Sequence, residues 1–245
     1  MSKDVSIIIP VNNEEGNVPE LCFKLKKVLG ALGQDYEVIF VDDGSSDNTY
    51  VLLLKAHNQD KHINIIKLTG NFGQSTALSA GFCYARGRII VTMDGDLQHD
   101  PEDIPLFLDR MNSGCGLVNG WKRKRNDDSL GKRISSLIFK IIMRLIFGIQ
   151  LNNSSSTFKA YRWEDVKGIT LREGLHCFMP VIMRKNISIC EIEIKCNKRK
   201  SGKSHYGWKD TIAVCQNMFL LMFKRSHLLN NYLLQDRVEA LKFHA

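Results

Sequence analysis

Short runs rich in Val and Ile recur early in the chain, at Val5 to Pro10, Glu37 to Val41, Ile63 to Leu68 and Ile89 to Met93. Each has the length of a buried strand and ends in polar or turn-forming residues. Between them, Val18 to Leu32, Asn48 to His57 and Ser75 to Ala85 are longer and helix-compatible. This alternation predicts the order βαβαβαβ and an α/β fold whose mostly parallel central sheet is flanked by helices. In such sheets ligands collect beyond the carboxyl ends of the strands, so the residues just after each apolar run are where chemistry is expected.

The pattern changes near Gly120. Lys122, Arg123, Lys124 and Arg125 form a basic cluster, followed by Lys132, Arg133 and a stretch, Leu137 to Leu151, that is apolar apart from Lys140, Arg144, Gly148 and Gln150. At helical spacing Arg133, Lys140 and Arg144 fall within a narrow arc, which leaves Ile138, Ile141, Ile142, Leu145 and Ile149 to broader apolar faces. An amphipathic helix over about 132–151, lying in a bilayer interface with its cations toward lipid headgroups, is the expectation. A helix packed on the domain with snorkelling cations is the alternative. A second mainly apolar run, Thr211 to Phe223, closes on Lys224 and Arg225. No run reaches the roughly 18 uninterrupted apolar residues of a spanning helix.

Composition narrows the picture. The 245 residues are 44% apolar, enough for one sizeable core. A net charge of +8 suits an anionic partner. The cations cluster beside an apolar helix rather than on an aromatic-studded sheet, which argues against nucleic acid. The seven cysteines, at 22, 83, 115, 177, 190, 196 and 215, are odd in number and form no CxxC pair, so free thiols in a reducing cytoplasm are expected. Met1 to Pro10 shows no signal-peptide pattern, which places the chain on the cytoplasmic side.

The residues that follow the strands carry the candidate chemistry. Pro10-Val11-Asn12-Asn13-Glu14-Glu15 is not the glycine-rich turn of a dinucleotide-binding domain, which argues against an NAD or FAD enzyme. In Asp42-Asp43-Gly44-Ser45-Ser46-Asp47 a carboxylate at a strand end can accept hydrogen bonds from a ribose or base, although the same residues make a good helix cap. Asn71-Phe72-Gly73-Gln74-Ser75 opens a helix and can offer backbone N–H groups or an amide to a donor, although a capped turn explains Asn71 and Ser75 equally well. The strongest signal is Asp94-Gly95-Asp96-Leu97-Gln98. Two carboxylates one residue apart at a strand end repel each other unless a positive charge lies between them. A divalent cation bridging them and a pyrophosphate removes that repulsion, and hard oxygen ligands favour Mg²⁺ or Mn²⁺ over zinc.

Together Pro10 to Glu15, Val41 to Asp47, Asn71 to Gly81 and Asp94 to Pro101, in that order and spacing, resemble family 2 glycosyltransferases, and more closely the polyprenyl-phosphate hexosyltransferases. The resemblance runs from Val5 to about Tyr206 and implies a GT-A fold. It also implies inverting transfer of a hexose-type sugar from a UDP- or GDP-sugar to a polyprenyl phosphate, with Mg²⁺ or Mn²⁺. Carried over, Pro10, Asn12, Glu14 and Asp42 hold the nucleoside, and Asp94, Gly95, Asp96 and Gln98 hold metal and diphosphate. Lys122, Arg199 and His205 face the donor, the last two in a closing loop at about 198–206, while Arg125, Arg133 and Ser136 lie near the acceptor phosphate.

Asn153, Lys122 and His205 depart from the residues usual in relatives, which are Asp, Arg and Lys. On this reading 1–120 is the donor core, 121–210 the acceptor part and 211–245 a membrane-surface helical tail, and a membrane-spanning protein partner for the domain is left open. Two other functions fit the same motifs: a family 2 enzyme acting on a glycan, another lipid or a protein, and a nucleotide-sugar-binding regulatory partner.

Overall fold

The computed structural model describes residues 2–122, 130–153, 156–171, 174–183, 187–195, 197, 216 and 242–244, with backbone alone for 130–136, 138 and 242–244. Four strands, β1 (Lys3–Val11), β2 (Tyr36–Asp42), β3 (Ile63–Lys67) and β4 (Gly87–Thr92), alternate with α1 (Val18–Gly30), α2 (Thr49–Gln59) and α3 (Gln74–Tyr84). Helix α4 (Ile104–Asn112) then leads to β5 (Leu117–Lys122) and the long α5 (Leu130–Phe147). The chain continues through β6 (Lys159–Arg162), α6 (Trp163–Val166), α7 (Met179–Met183), β7 (Ile189–Ile194) and β8 (Lys242–His244).

The sheet order is β7-β5-β6-β4-β1-β2-β3-β8. Strands β1 to β4 pair in parallel, as the alternation predicts, and β7 is parallel to β5. Strand β6 runs antiparallel to both β4 and β5, and β8 antiparallel to β3. Strands β5, β6 and β7 therefore complete the same sheet.

Apolar residues fill both faces of the sheet. Ile7, Ile9, Val38 and Phe40 face α1, whose Leu21, Leu25 and Leu29 recur every fourth residue and are buried. Ile8, Ile39 and Val41 face α3, where Ala77, Ser79, Ala80 and Gly81 let the helix lie close. Strands buried on both sides read as unbroken apolar runs, which is why the sequence signals them so clearly.

At the opposite end of the strands Glu37, 1% exposed, ties β1, β2 and β3 to the residue that precedes β4. Its carboxylate accepts from Ser6 Oγ (2.6 Å), Asn64 Nδ2 (3.1 Å), and Arg86 N (2.7 Å), Nε (3.1 Å) and Nη2 (2.8 Å). A buried carboxylate is tolerable because a cation and several donors satisfy it.

Two expectations are corrected. Cys115 and Cys190 form a disulfide with Cα atoms 6.1 Å apart, rather than remaining free thiols. The parallel pairing of β5 with β7 brings together residues 75 apart in sequence, which spacing cannot reveal. Cys22, Cys83 and Cys177 remain thiols, and Cys196 and Cys215 lie outside the described residues. The long helix also ends at Phe147, short of the expected 151, because Gly148 adopts a left-handed φ of 60°. Ile149 and Leu151 then turn into a core with Met143, Phe147 and Phe178.

Candidate active site

The site is built at the carboxyl ends of β1, β2 and β4, where the loops are stitched to one another. Asn12 Nδ2 donates to Asp43 O (2.6 Å), and Glu14 N donates to Thr49 Oγ1 (2.7 Å). Asn13, at φ 56°, accepts at Oδ1 from Ser46 N (2.8 Å), a left-handed conformation that Asn tolerates well. Pro10 and Val11 pair directly with Val41 and Asp42, so the residues expected to hold a nucleoside, Pro10, Asn12, Glu14 and Asp42, share one rim.

Asp42 is fully buried. Its Oδ1 accepts from Ser45 N (3.0 Å), whereas its Oδ2 has no hydrogen-bond partner among the described residues. An unsatisfied buried acceptor costs about 1–3 kcal/mol, and such exceptions concentrate where a ligand supplies the missing partner.

The next carboxylate has a role that sequence reasoning missed. Asp43 accepts from Phe72 N at Oδ1 and Gly73 N at Oδ2, both at 2.8 Å. These two amides are thus already used, which corrects the expectation that they face a donor. The partners are 29 and 30 residues away, and the only local hint was the doubled Asp. Gln74 likewise turns its amide to Asp94 Oδ1 (2.7 Å) and Thr157 Oγ1 (3.3 Å).

Asp94, Gly95 and Asp96 follow β4 after one buried residue, Met93. A Cβ on Gly95 would lie 2.7 Å from Val11 Cγ1 and 3.4 Å from Pro10 O, so the absence of a side chain lets the acidic turn pack on β1. Leu97, at φ 60° and buried, reverses the chain, and Gln98 N donates to Asp96 Oδ1 (3.0 Å). Such a backbone in a non-glycine residue is strained and persists where the surroundings hold it.

Burial raises the Asp94 carboxyl above its ordinary value, opposed by the Lys122 charge, hydrogen bonds from Thr157 and Gln74, and the Lys159 charge. His99, 3.5 Å from Asp94 Oδ2, is a neutral neighbour rather than an ion partner. Its Nδ1 accepts from Asp94 N (3.2 Å), and burial, then the Lys122 charge, lowers it to about 3. Lys122 Nζ donates to Gln98 Oε1 (3.4 Å). Lys159, 1% exposed, donates to Ser156 O, and burial lowers it to about 8 against the charges of Cys177 and Asp94.

Among the described residues no group of three or more His, Cys, Asp or Glu is arranged to hold a metal ion. The chain offers the two carboxylates Asp94 and Asp96, with the Gln98 backbone N–H on Asp96 Oδ1 and the Gln98 side-chain oxygen toward Lys122 Nζ. That donor set fits a hard cation that takes one or two carboxylates and completes its shell with phosphate oxygens, and it does not fit zinc.

Of the remaining expected site residues, Arg133 and Ser136 stand in the first half of α5. Arg125, Arg199 and His205 lie outside the described residues. Further along α5 the apolar surface splits. Met143 and Phe147 are buried, while Leu137 (55% exposed), Ile141 (46%) and Leu145 (77%) recur every fourth residue along an open arc beside the exposed Lys140 and Arg144.

Residues 6–169 match the family model described as glycosyl transferase family 2, and the chain belongs to that family. It is 35% identical over 220 residues to the undecaprenyl-phosphate 4-deoxy-4-formamido-L-arabinose transferase of Shewanella sediminis (strain HAW-EB3), covering 89% of this chain and 66% of that protein. It is 33% identical over 227 residues to the dodecaprenyl-phosphate galacturonate synthase of Rhizobium johnstonii (strain DSM 114642 / LMG 32736 / 3841), covering 91% and 67%. The chain thus spans about two thirds of the length of these curated relatives.

Among solved structures, glucosyl-3-phosphoglycerate synthase from Mycobacterium tuberculosis superposes with a TM-score of 0.67 at 15% identity, covering 91% of this chain and 80% of that one. That structure is a complex with Mn²⁺, UDP and glucosyl-3-phosphoglycerate. A second, with Mg²⁺ and UDP, gives 0.67 at 16% identity, covering 91% and 79%. The likeness is one of fold, the GT-A arrangement.

Proposed function

We propose that this chain transfers a hexose-type sugar from a UDP- or GDP-sugar to a polyprenyl phosphate, with inversion, at the cytoplasmic face of a membrane. The observation that carries the acceptor half is the open apolar arc of α5, which gives a donor-binding domain a means of meeting a lipid surface. The curated relatives bear the names of undecaprenyl- and dodecaprenyl-phosphate enzymes, which supports the same acceptor class. The mycobacterial structures, with Mn²⁺ or Mg²⁺ and UDP, support a nucleotide donor and a divalent cation.

In this reading the Asp42 Oδ2 accepts from the nucleoside, and Pro10, Asn12 and Glu14 form the rim beside it. Asp94 and Asp96, with Gln98, hold Mg²⁺ or Mn²⁺ and the diphosphate. When bound, the cation supplies charge neutralisation to the leaving diphosphate. Gly95 keeps the turn low enough for the diphosphate to approach, and Lys122 adds positive charge from the end of β5.

Arg125, Arg133 and Ser136 orient the acceptor phosphate, and Arg199 and His205 close over the donor. A phosphate monoester carries close to two negative charges at neutral pH, its second pKa being about 6, so it needs positioning more than a general base. Asn153 in place of an acid is compatible with that chemistry. The segment 132–147 lies on the membrane surface, where a membrane-spanning protein partner has access to it, and the product serves glycan or cell-envelope modification. Of the expected helical tail 211–245 all but 216 and 242–244 lies outside the described residues, and 242–244 pair with β3 as a strand. No helix among the described residues is long and apolar enough to cross a membrane.

The test is transfer of radiolabel from a panel of UDP- and GDP-sugars into an organic-extractable, mild-acid-labile product, using undecaprenyl phosphate with Mg²⁺ or Mn²⁺ and an EDTA control. A metal-dependent product from one donor is expected, and Asp96→Asn abolishes it while the melting temperature stays unchanged. Full activity in Asp96→Asn would remove the metal assignment. Absence of product with donor binding intact would move the reading to another acceptor or to a regulatory role.

A further inference from the structure

Strand register places one polar side chain from each of four neighbouring strands in a single line across the sheet. Thr92 of β4 lies opposite Lys159 of β6, Lys159 opposite Asn119 of β5, and Asn119 opposite Glu191 of β7. The line two residues deeper, Ile90, Tyr161, Leu117 and Ile189, is apolar. The polar line thus marks where the sheet passes from core to site.

Each member of the line holds the main chain of the segment that crosses these strand ends, and in matching order. Both Glu191 carboxylate oxygens accept from Asn152 N at 2.9 Å. Asn119 Nδ2 donates to Asn153 O (2.7 Å), Lys159 Nζ to Ser156 O, and Thr92 Oγ1 to Thr157 O (2.6 Å). Asn119 Nδ2 also donates to Glu191 Oε1 (3.1 Å), joining two members of the line to each other.

The line is largely buried and not fully satisfied. Thr92, Lys159 and Asn119 are each no more than 1% exposed, and Asn119 Oδ1 has no partner among the described residues. Apolar residues in these places would leave the Asn152 N–H and the Asn153, Ser156 and Thr157 carbonyls without these partners, so the line fixes the path of that main chain as well as filling space.

The crossing joins the two halves of the site. At one end Gln74 bridges Thr157 Oγ1 and Asp94 Oδ1. At the other, Lys140 of α5 donates from Nζ to Asn152 Oδ1 (3.4 Å).

We propose that Asn119, Lys159 and Glu191 are positioning residues for the transfer: they fix the crossing so that Asp94 and α5 keep one spacing, and they touch no reactant themselves. The inference rests on the donor-site reading above, in which Asp94 holds a metal. Asn119 and Glu191 reach Asp94 only through the crossing and Gln74, and small misplacements of reacting groups change turnover by roughly tenfold or more.

The experiment compares Asn119→Ala and Glu191→Gln with the parent chain by Mn²⁺ affinity from electron paramagnetic resonance in the presence of UDP or GDP, by nucleotide affinity, and by kcat and KM for donor and lipid. Glu191→Gln keeps one oxygen for the Asn152 amide and sits at the half-exposed end of the line, so it folds even if Asn119→Ala does not. The expected result is nucleotide affinity within about twofold of the parent, Mn²⁺ binding weakened about tenfold, and kcat lowered about tenfold with donor KM little changed. Mn²⁺ affinity and kcat both within twofold of the parent, in a folded Glu191→Gln variant, would overturn the inference. Failure of the donor-site reading shows instead in the parent, as absence of Mn²⁺ binding with either nucleotide, and that result would overturn the inference together with its premise.

Discussion

Replacing Asp42 with Asn separates what this residue does for the fold from what it does for the ligand. Only Oδ1 has a partner, the Ser45 amide, and an asparagine retains an oxygen for that bond. Oδ2, buried and unpartnered, becomes an NH₂ group and can no longer accept. For the fold, one unsatisfied polar group is exchanged for another and a buried charge is removed, so stability holds or rises. For the ligand, a hydrogen bond to a charged acceptor is lost, worth about 1.5–3 kcal/mol. At about 1.4 kcal/mol per tenfold, nucleotide affinity falls roughly 10- to 150-fold. Calorimetric titration with UDP and GDP, beside thermal unfolding of the same samples, reads both effects. An Asp42→Asn variant that binds its nucleotide as tightly as the parent, or that melts several degrees lower, would refute the assignment of the orphan oxygen to the ligand.

Other perturbations probe the remaining parts. Ile141→Ser with Leu145→Ser exchanges two open apolar side chains of α5, each worth about 1.5–3 kcal/mol when buried in lipid, so sedimentation with anionic vesicles falls at least tenfold while urea stability is unchanged. Equal vesicle binding would place the membrane contact elsewhere. Glu37→Ala removes the acceptor of five hydrogen bonds and strands Arg86, Ser6 and Asn64, at a cost of about 3–5 kcal/mol visible in the urea midpoint, whereas a loss below 1 kcal/mol would contradict the role given to it.

His176 is lowered to about 3 by burial and then by the Lys159 charge. Its folded pKa lies below the unfolded value of 6.5, so the unfolded chain takes up the proton first. Stability from this group is intact above pH 6.5 and declines as pH falls toward 3. His176→Gln flattens the melting temperature against pH in that window, and parallel curves for parent and variant would exclude the effect.

Much of the fold was legible because the physics that forms it is local. A strand buried on both faces must be apolar along its length, and a helix on such a sheet must be apolar on one side. The first seven elements therefore stand within about two residues of where the apolar pattern puts them. The acidic turn at Asp94 and Asp96 was legible for a related reason, since two carboxylates at the mouth of a buried strand are costly without a cation.

The amino-acid sequence by itself thus determined the alternating α/β core, the polar and acidic residues at the carboxyl ends of its strands and the two-faced α5. Only the tertiary structure decided that Asp43, rather than a ligand, takes the Phe72 and Gly73 amides, and that the Gln74 amide serves Asp94. It also decided that Cys115 meets Cys190, and that Thr92, Lys159, Asn119 and Glu191 stand in one line. Those relations depend on strand order and register, which bring together residues 20 to 75 positions apart. No periodicity along the chain records them, because the hydrophobic pattern fixes which face a residue takes but not which strand lies beside it.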